Sequence, residues 1–327
     1  MNRDFRDSCD FYDFRRNHHG NHGNRDSDNR RKNLRLRARV LRAIRDFFDG
    51  RGYLEVTTPC RVPAPAPERH IDPVSADGWF LHTSPELWMK RLLAAGYPRI
   101  HQMGPCFRGA ERGDRHLPEF TLLEWYAAGA DYRDLMAECE ALIRTVAEAA
   151  GIGNRIRRGE AAVALDAPWD RMTVREAFRR YADISAEAAL EADRFDEIMA
   201  FEIEPRLGRE RPLFLHDYPA PCAALARRRA DDPDTAERFE LYIAGIELCN
   251  GFSELTDPAE QRARFSADRE ARRRAGRSVG PMPERFLDDL ARMPEAAGNA
   301  LGVDRLVMLL AGADRIDDVV AFAPEEL

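Results

Sequence analysis

Three stretches of the chain carry residues whose types and spacing could do chemistry. The first reads FRGAERGDRHLPEFTLLEWY, from Phe107 to Tyr126. Period 2 along its second half places Phe120, Leu122, Glu124 and Tyr126 on one face of a strand, with Glu119, Thr121, Leu123 and Trp125 on the other. At about 3.3 Å per residue, Phe120 to Tyr126 spans roughly 20 Å, a floor with an aromatic ring at one end and a carboxylate beside a phenol at the other. An amphipathic strand whose polar face meets water would read the same way. The second stretch, GIELCNGFSEL, holds Glu247, Asn250 and Glu254. Carboxylates that close in a buried hairpin repel unless a metal ion or an ammonium lies between them, whereas in an exposed hairpin they need nothing. A strict pleat sets Glu247 opposite Asn250 and Glu254, so convergence requires a break, expected near Gly251. The third stretch, GNALGVDRLVML, reads as an apolar helix opening with Gly298, Asn299 and Gly302, and Arg305 lies one turn in. That arginine is either a snorkelling or salt-bridged residue, or a planar guanidinium aimed at a phosphate.

The elements that must position these residues follow from the rest of the pattern. Residues 1–33 are polar and nearly free of aliphatics, so they are expected to form a disordered tail ahead of a single domain over 34–327. His18, His19 and His22 within it are either a solvated cluster or an adventitious metal site. Leu36, Val40, Ile44 and Phe47 recur at helical spacing before Gly50 and Gly52 stop the helix, and YLEVTTP is a short strand ended by Pro59. WFLHTSPELWMKRLLAAG predicts a strand, Ser84 as N-cap, Pro85 in the first turn, and a helix to Gly96. Strands flank the charged loop 110–118, a helix covers 133–150, Arg- and Ala-rich helices run to about 211, and a charged helix fills 258–276. No G-x-G-x-x-G or G-x-x-x-x-G-K-S/T occurs, which removes support for the parallel nucleotide-binding sheets. The expected class is α+β, an antiparallel β-sheet flanked by helices.

Composition narrows the functions. Fifty Lys and Arg against 57 Asp and Glu give a net charge of −7, which argues against gripping nucleic acid by its phosphates. Lysine occurs only at 32 and 90 and all other strong cations are arginine, a pattern read first as codon bias. Six cysteines without a C-x-x-C pair fit neither a zinc site nor a disulfide framework and suit a reducing cytosol. The start lacks an apolar leader core, and no apolar run nears the roughly 18 residues of a membrane span, so a soluble, cytoplasmic protein with no membrane partner is expected.

Taken in order, the helix and strand ending at Pro59, then TSPELWMKRL, then FR…HLPEFTLLEWY, then ELCNGFSEL and GVDR resemble the three signature motifs of class II aminoacyl-tRNA synthetases, in the lysyl branch. The resemblance runs from about Leu34 to Leu327. With only residues 1–33 ahead of motif 1, no anticodon-binding β-barrel is expected. The chain thus looks like the stand-alone ligases of that branch, which attach (R)-β-lysine to a lysine of elongation factor P. What this implies is ATP as substrate with Mg²⁺, lysine or β-lysine as the amino acid, elongation factor P rather than tRNA as acceptor, and a homodimer. By the same resemblance Arg108 grips the α-phosphate and the substrate carboxylate, Phe120 and Arg305 sandwich the adenine, and His116 lies near the terminal phosphates. Glu247 and Glu254 are the implied Mg²⁺ ligands. Gly109, Ala110, Glu111, Leu117, Leu248 and Gly302 complete the implied ATP site. Glu254 and Tyr126 would meet the distal ammonium, Glu86 and Glu124 the other amino group, and Asn250 the carboxylate, with Ser84, Pro85 and Cys249 beside them. The sequence departs from the family at Gly109 and Ala110, where Asn and Glu are usual, at Leu117, and at Cys249. Cys249 is therefore expected to tune the choice between lysine isomers, unless it is a small core residue facing away. Two rival readings remain open here, a shortened synthetase that charges tRNA or another carrier, and a non-catalytic regulatory subunit.

Overall fold

The computed structural model describes residues 23–159, 161–166 and 168–327. Residues 1–22, with the histidine cluster of the polar segment, lie outside the described residues. Helix α1 (Gly23–Asp49) starts well before Leu34, so residues 23–33 are helical and not part of a tail. Their partners are distant in sequence: Arg30 pairs with Glu326 at 2.8 Å, and Asn33 donates to the Asp318 carbonyl at 3.0 Å. Leu36, Val40, Ile44 and Phe47 are buried as their spacing predicts.

Among the described residues eight strands make one open sheet: β1 (Leu54–Glu55), β2 (Arg99–Phe107), β3 (Glu119–Ala128), β4 (Asp170–Thr173), β5 (Leu213–Pro219), β6 (Thr235–Ile243), β7 (Ile246–Ser253) and β8 (Ala296–Gly302). Their order is β1-β2-β3-β8-β7-β6-β5-β4. The six inner strands are antiparallel, and the two edge strands pair in parallel, β1 with β2 and β4 with β5. Among the described residues no sheet closes into a barrel, and no helix is long and apolar enough to cross a membrane.

The alternation in β3 separates two cores. Leu123 and Trp125 join α1, α3 (Tyr132–Ala149) and α5 (Val303–Ala311) on one side. Tyr126 packs on the other side with residues of α2 (Glu86–Ala94) and α4 (Pro258–Arg274). Helix α2 begins one residue later than its sequence signal. Pro85 is the cap, and Ser84 Oγ accepts from the Glu86 N–H at 3.1 Å.

Residues 296–302 are strand, where the sequence reading had the start of an apolar helix. A Cβ on Gly298 would lie 2.2 Å from Tyr126 Cε1, so glycine is what lets β8 run between β3 and β7 at this point. The helix proper, α5, starts at Val303.

Candidate active site

The predicted face of β3 forms one wall of a cavity of about 230 Å³. Phe120, Leu122, Glu124 and Tyr126 all border it. The facing wall depends on a bulge in β7. Leu241 pairs with Cys249 but Tyr242 pairs with Glu247, so Leu248 is the extra residue. The break therefore falls at Leu248, three residues before Gly251, and it turns Glu247 to the same side as Asn250. Gly251 has a different reason to be glycine, since a Cβ there would meet the Phe239 ring at 2.6 Å.

Two guanidiniums define one end. Arg108 lies over the Phe120 ring, 5.0 Å from its centroid, and is held by the Thr83 carbonyl at 3.4 Å and the Glu111 carboxylate at 3.9 Å. Arg305 donates to the Glu247 carbonyl at 2.9 Å and to its carboxylate at 3.2 Å, and also contacts the Arg115 carbonyl and His116 Nε2. Burial and then the Arg305 charge hold His116 down to about 4, so the ring is neutral and accepts from the guanidinium. The next link was not visible in sequence. Asp304 accepts from the Thr121 N–H at 2.6 Å and pairs with Arg37, which in turn donates to Thr121 Oγ1 at 2.7 Å. That clamp ties the first turn of α5 to β3, so Arg305 keeps a fixed station relative to Phe120.

The other end is acidic and enclosed. Tyr126 donates to Glu124 Oε2 at 2.8 Å. Burial, then the nearby Glu86 charge, push the Glu124 carboxyl up to about 8. The ammonium that a cluster of carboxylates needs is supplied by the chain itself. Lys90 of α2 is fully buried, 2.5 Å from Glu86 Oε1 and in an ion pair with Glu254. Burial, the largest influence on Lys90, acts downward, yet Glu254 and Glu86 outweigh it and hold the ammonium above its ordinary range. Lysine 90 did carry a sequence signal, as one of two lysines in a chain that otherwise uses arginine.

Of the expected residues, Ser84, Glu86, Arg108, Glu111, His116, Leu117 and Phe120 border the cavity, as do Glu124, Tyr126, Glu247, Leu248, Cys249, Asn250, Gly302 and Arg305. Pro85, Gly109, Ala110 and Glu254 do not. Gly109 is instead drawn away by a 2.6 Å bond from its N–H to the Asp72 carbonyl, and Ala110 sits at φ +62 as the loop turns. Glu254 lies under Lys90, paired with it through Oε2, and its other oxygen is buried without a hydrogen-bond partner. Cys249 borders the cavity, and its buried thiol lies 3.5 Å from Cys139 Sγ and 3.6 Å from Asn299 Nδ2, on the helix side. Asn250 Oδ1 accepts from Arg238 Nε at 3.2 Å, and this leaves the amide nitrogen as its free donor end.

A family model described as tRNA synthetases class II (D, K and N) matches residues 21–326. An elongation factor P–(R)-β-lysine ligase of Vibrio cholerae is 42% identical over 322 residues, covering 88% of this chain and 94% of that protein. Proteins of the same name from Edwardsiella ictaluri and Photorhabdus laumondii are 42% and 41% identical, each covering 89% of this chain and 94% of their own length.

Proposed function

The chain belongs to the class II tRNA synthetases of the D, K and N group, and on that premise we propose that it is an ATP-dependent ligase which activates a lysine isomer as its adenylate and passes the acyl group to a lysine of elongation factor P. The names of its relatives support the acceptor and (R)-β-lysine as the amino acid. The observation that carries the reading is the polarity of the cavity. Arg108 and Arg305 stand at the Phe120 end, and Glu124 with Tyr126 at the far end of the same strand.

In the first step a carboxylate oxygen of the amino acid attacks the α-phosphorus of ATP, and pyrophosphate leaves. The protein supplies position and charge rather than covalent chemistry. The adenine stacks on Phe120, the two guanidiniums hold phosphate oxygens, and the Asn250 amide steadies the carboxylate. Glu124 receives an ammonium. In the second step the acceptor amine attacks the acyl carbon and AMP leaves.

Magnesium suits this site through one residue. Glu247 is a half-exposed carboxylate on the cavity wall beside Arg305, and Mg²⁺ is commonly held by one or two carboxylates together with substrate phosphates, whose charge it neutralises. Glu254 is fully buried, paired through Oε2 with Lys90, and does not border the cavity, so Glu247 is the carboxylate that would hold the ion. Among the described residues no group of three or more His, Cys, Asp or Glu converges on a metal position.

ATP–pyrophosphate exchange with α-lysine and (R)-β-lysine tests the reading. Exchange is expected with at least one isomer, and Arg305→Ala or Arg108→Ala should each lower it by about 100-fold or more with unchanged circular dichroism. No exchange with either isomer, or near-normal exchange in both variants, overturns it.

A further inference from the structure

Glu68 was not singled out by its sequence, yet it borders the cavity. It lies in the segment between β1 and α2, and two contacts fix it there. Thr83 Oγ1 donates to Glu68 Oε2 at 3.3 Å. Behind it, the buried Arg272 of α4 donates to the Glu68 carbonyl at 2.9 Å, to the Ile71 carbonyl at 2.7 Å, and to the Asp72 carboxylate at 2.6 Å. Asp72 in turn receives the Gly109 N–H, so Glu68 and Arg108 share one rigid frame.

The charges on the wall are matched one by one. Glu247 has Arg305, Glu111 has Arg108, Glu86 has Lys90, and Asp304 has Arg37. Among the described residues, Glu68 and Glu124 are the acids of this wall with no salt-bridge partner. Their surroundings also order them along the cavity. Thr83 gives its hydroxyl to Glu68 and its carbonyl to Arg108, whereas Glu124 is bonded to Tyr126 at the far end of the strand, so Glu68 is on the Arg108 side. A diamino acid whose carboxylate sits at Arg108 brings two ammonium groups, one near and one far.

We propose that Glu68 is a specificity-determining contact, receiving the substrate ammonium closest to the reacting carboxylate while Glu124 receives the distal one. The inference rests on the adenylation reading above and adds the residue that distinguishes a diamino acid from a simple ω-amino acid. Burial pushes the Glu68 carboxyl up to about 7; Arg108 pulls it down, and Glu86 and Glu111 add to the rise. The free site is thus short of positive charge at the place where the ammonium would bind.

The test is Glu68→Gln, which keeps the shape and the Thr83 bond and removes only the charge. In pyrophosphate exchange the KM for the preferred lysine isomer should rise about 10- to 100-fold, the worth of one charge-assisted bond. The KM for ATP and kcat should stay within about threefold, and inhibition by 6-aminohexanoate, which lacks the near ammonium, should stay within about twofold, since neither uses this contact. A fall in kcat with unchanged lysine KM would overturn the proposal and make Glu68 a support for Arg108. An equal loss for lysine and 6-aminohexanoate overturns it too. If the wild type shows no exchange with any lysine isomer, the adenylation reading itself fails and this inference with it; normal wild-type exchange with an unchanged variant KM removes this inference alone.

Discussion

Acidification should weaken binding of the lysine substrate steeply, and the site sets how steeply. Burial and Glu86 raise the Glu124 carboxyl to about 8, and burial raises that of Glu68 to about 7. Only the carboxylate form can pair with an ammonium, so both protons must leave before the substrate is held. Both raised values mean that affinity is complete at high pH and is lost as the pH falls through them. The fraction of free enzyme with both groups ionised is about one half at about pH 8 and under one hundredth at about pH 6.5, so affinity should drop roughly 60-fold, or about 2.4 kcal/mol. Glu254 is ion-paired with Lys90 and does not border the cavity, so it adds nothing to this dependence. Isothermal titration of the preferred isomer in two buffers of different ionisation heat reads affinity and proton release together. Release of between roughly one and two protons is expected near pH 7. Glu124→Gln should bind more weakly and flatten the dependence to about fourfold, the part due to Glu68. A wild-type affinity that changes less than about threefold over this range, with no proton release, would refute the assignment of either carboxyl to an ammonium.

Lys90→Met leaves Glu86 and Glu254 buried without their cation, which should cost about 3–5 kcal/mol and lower Tm by roughly 6–10 °C. Adding Glu254→Gln should restore more than half of that loss in the same calorimetric scan, and a double variant no better than the single one would contradict the pairing. Gly298→Ala forces a methyl to within 2.2 Å of Tyr126 and 2.5 Å of Glu254. It should destabilise by about 1–3 kcal/mol and raise the lysine KM, and an unchanged Tm with an unchanged KM would show that β8 does not approach β3 as described.

The periodic parts of the site were legible because periodicity reports which face a residue occupies. Phe120, Glu124 and Tyr126 share a wall as their spacing implied, and Arg305 is on the expected apolar helix, in its first turn because that helix starts at Val303 and not at Gly298. What failed depended on neighbours distant in sequence. A bulge adds one residue to one strand, and nothing local separates Leu248 from Gly251 as its place; the register against β6 decides it. The run Ala296–Gly302 has few side chains with which to declare itself a strand, and its smallness is a response to Tyr126 across the pair. Arg272 reads as one more arginine in a charged helix, yet its bonds reach Glu68, Ile71 and Asp72, far back in the chain. Residues 23–33 looked too polar to order, and their partners are at the opposite terminus.

The central claim is transfer of an activated lysine isomer to elongation factor P. Intact-mass measurement of purified elongation factor P after incubation with the enzyme, ATP, Mg²⁺ and each lysine isomer in turn tests it most directly. The account predicts a gain of one lysyl unit on one acceptor lysine, greatest with (R)-β-lysine, and none with Arg305→Ala. Unmodified elongation factor P in a reaction where the same enzyme charges tRNA would contradict it.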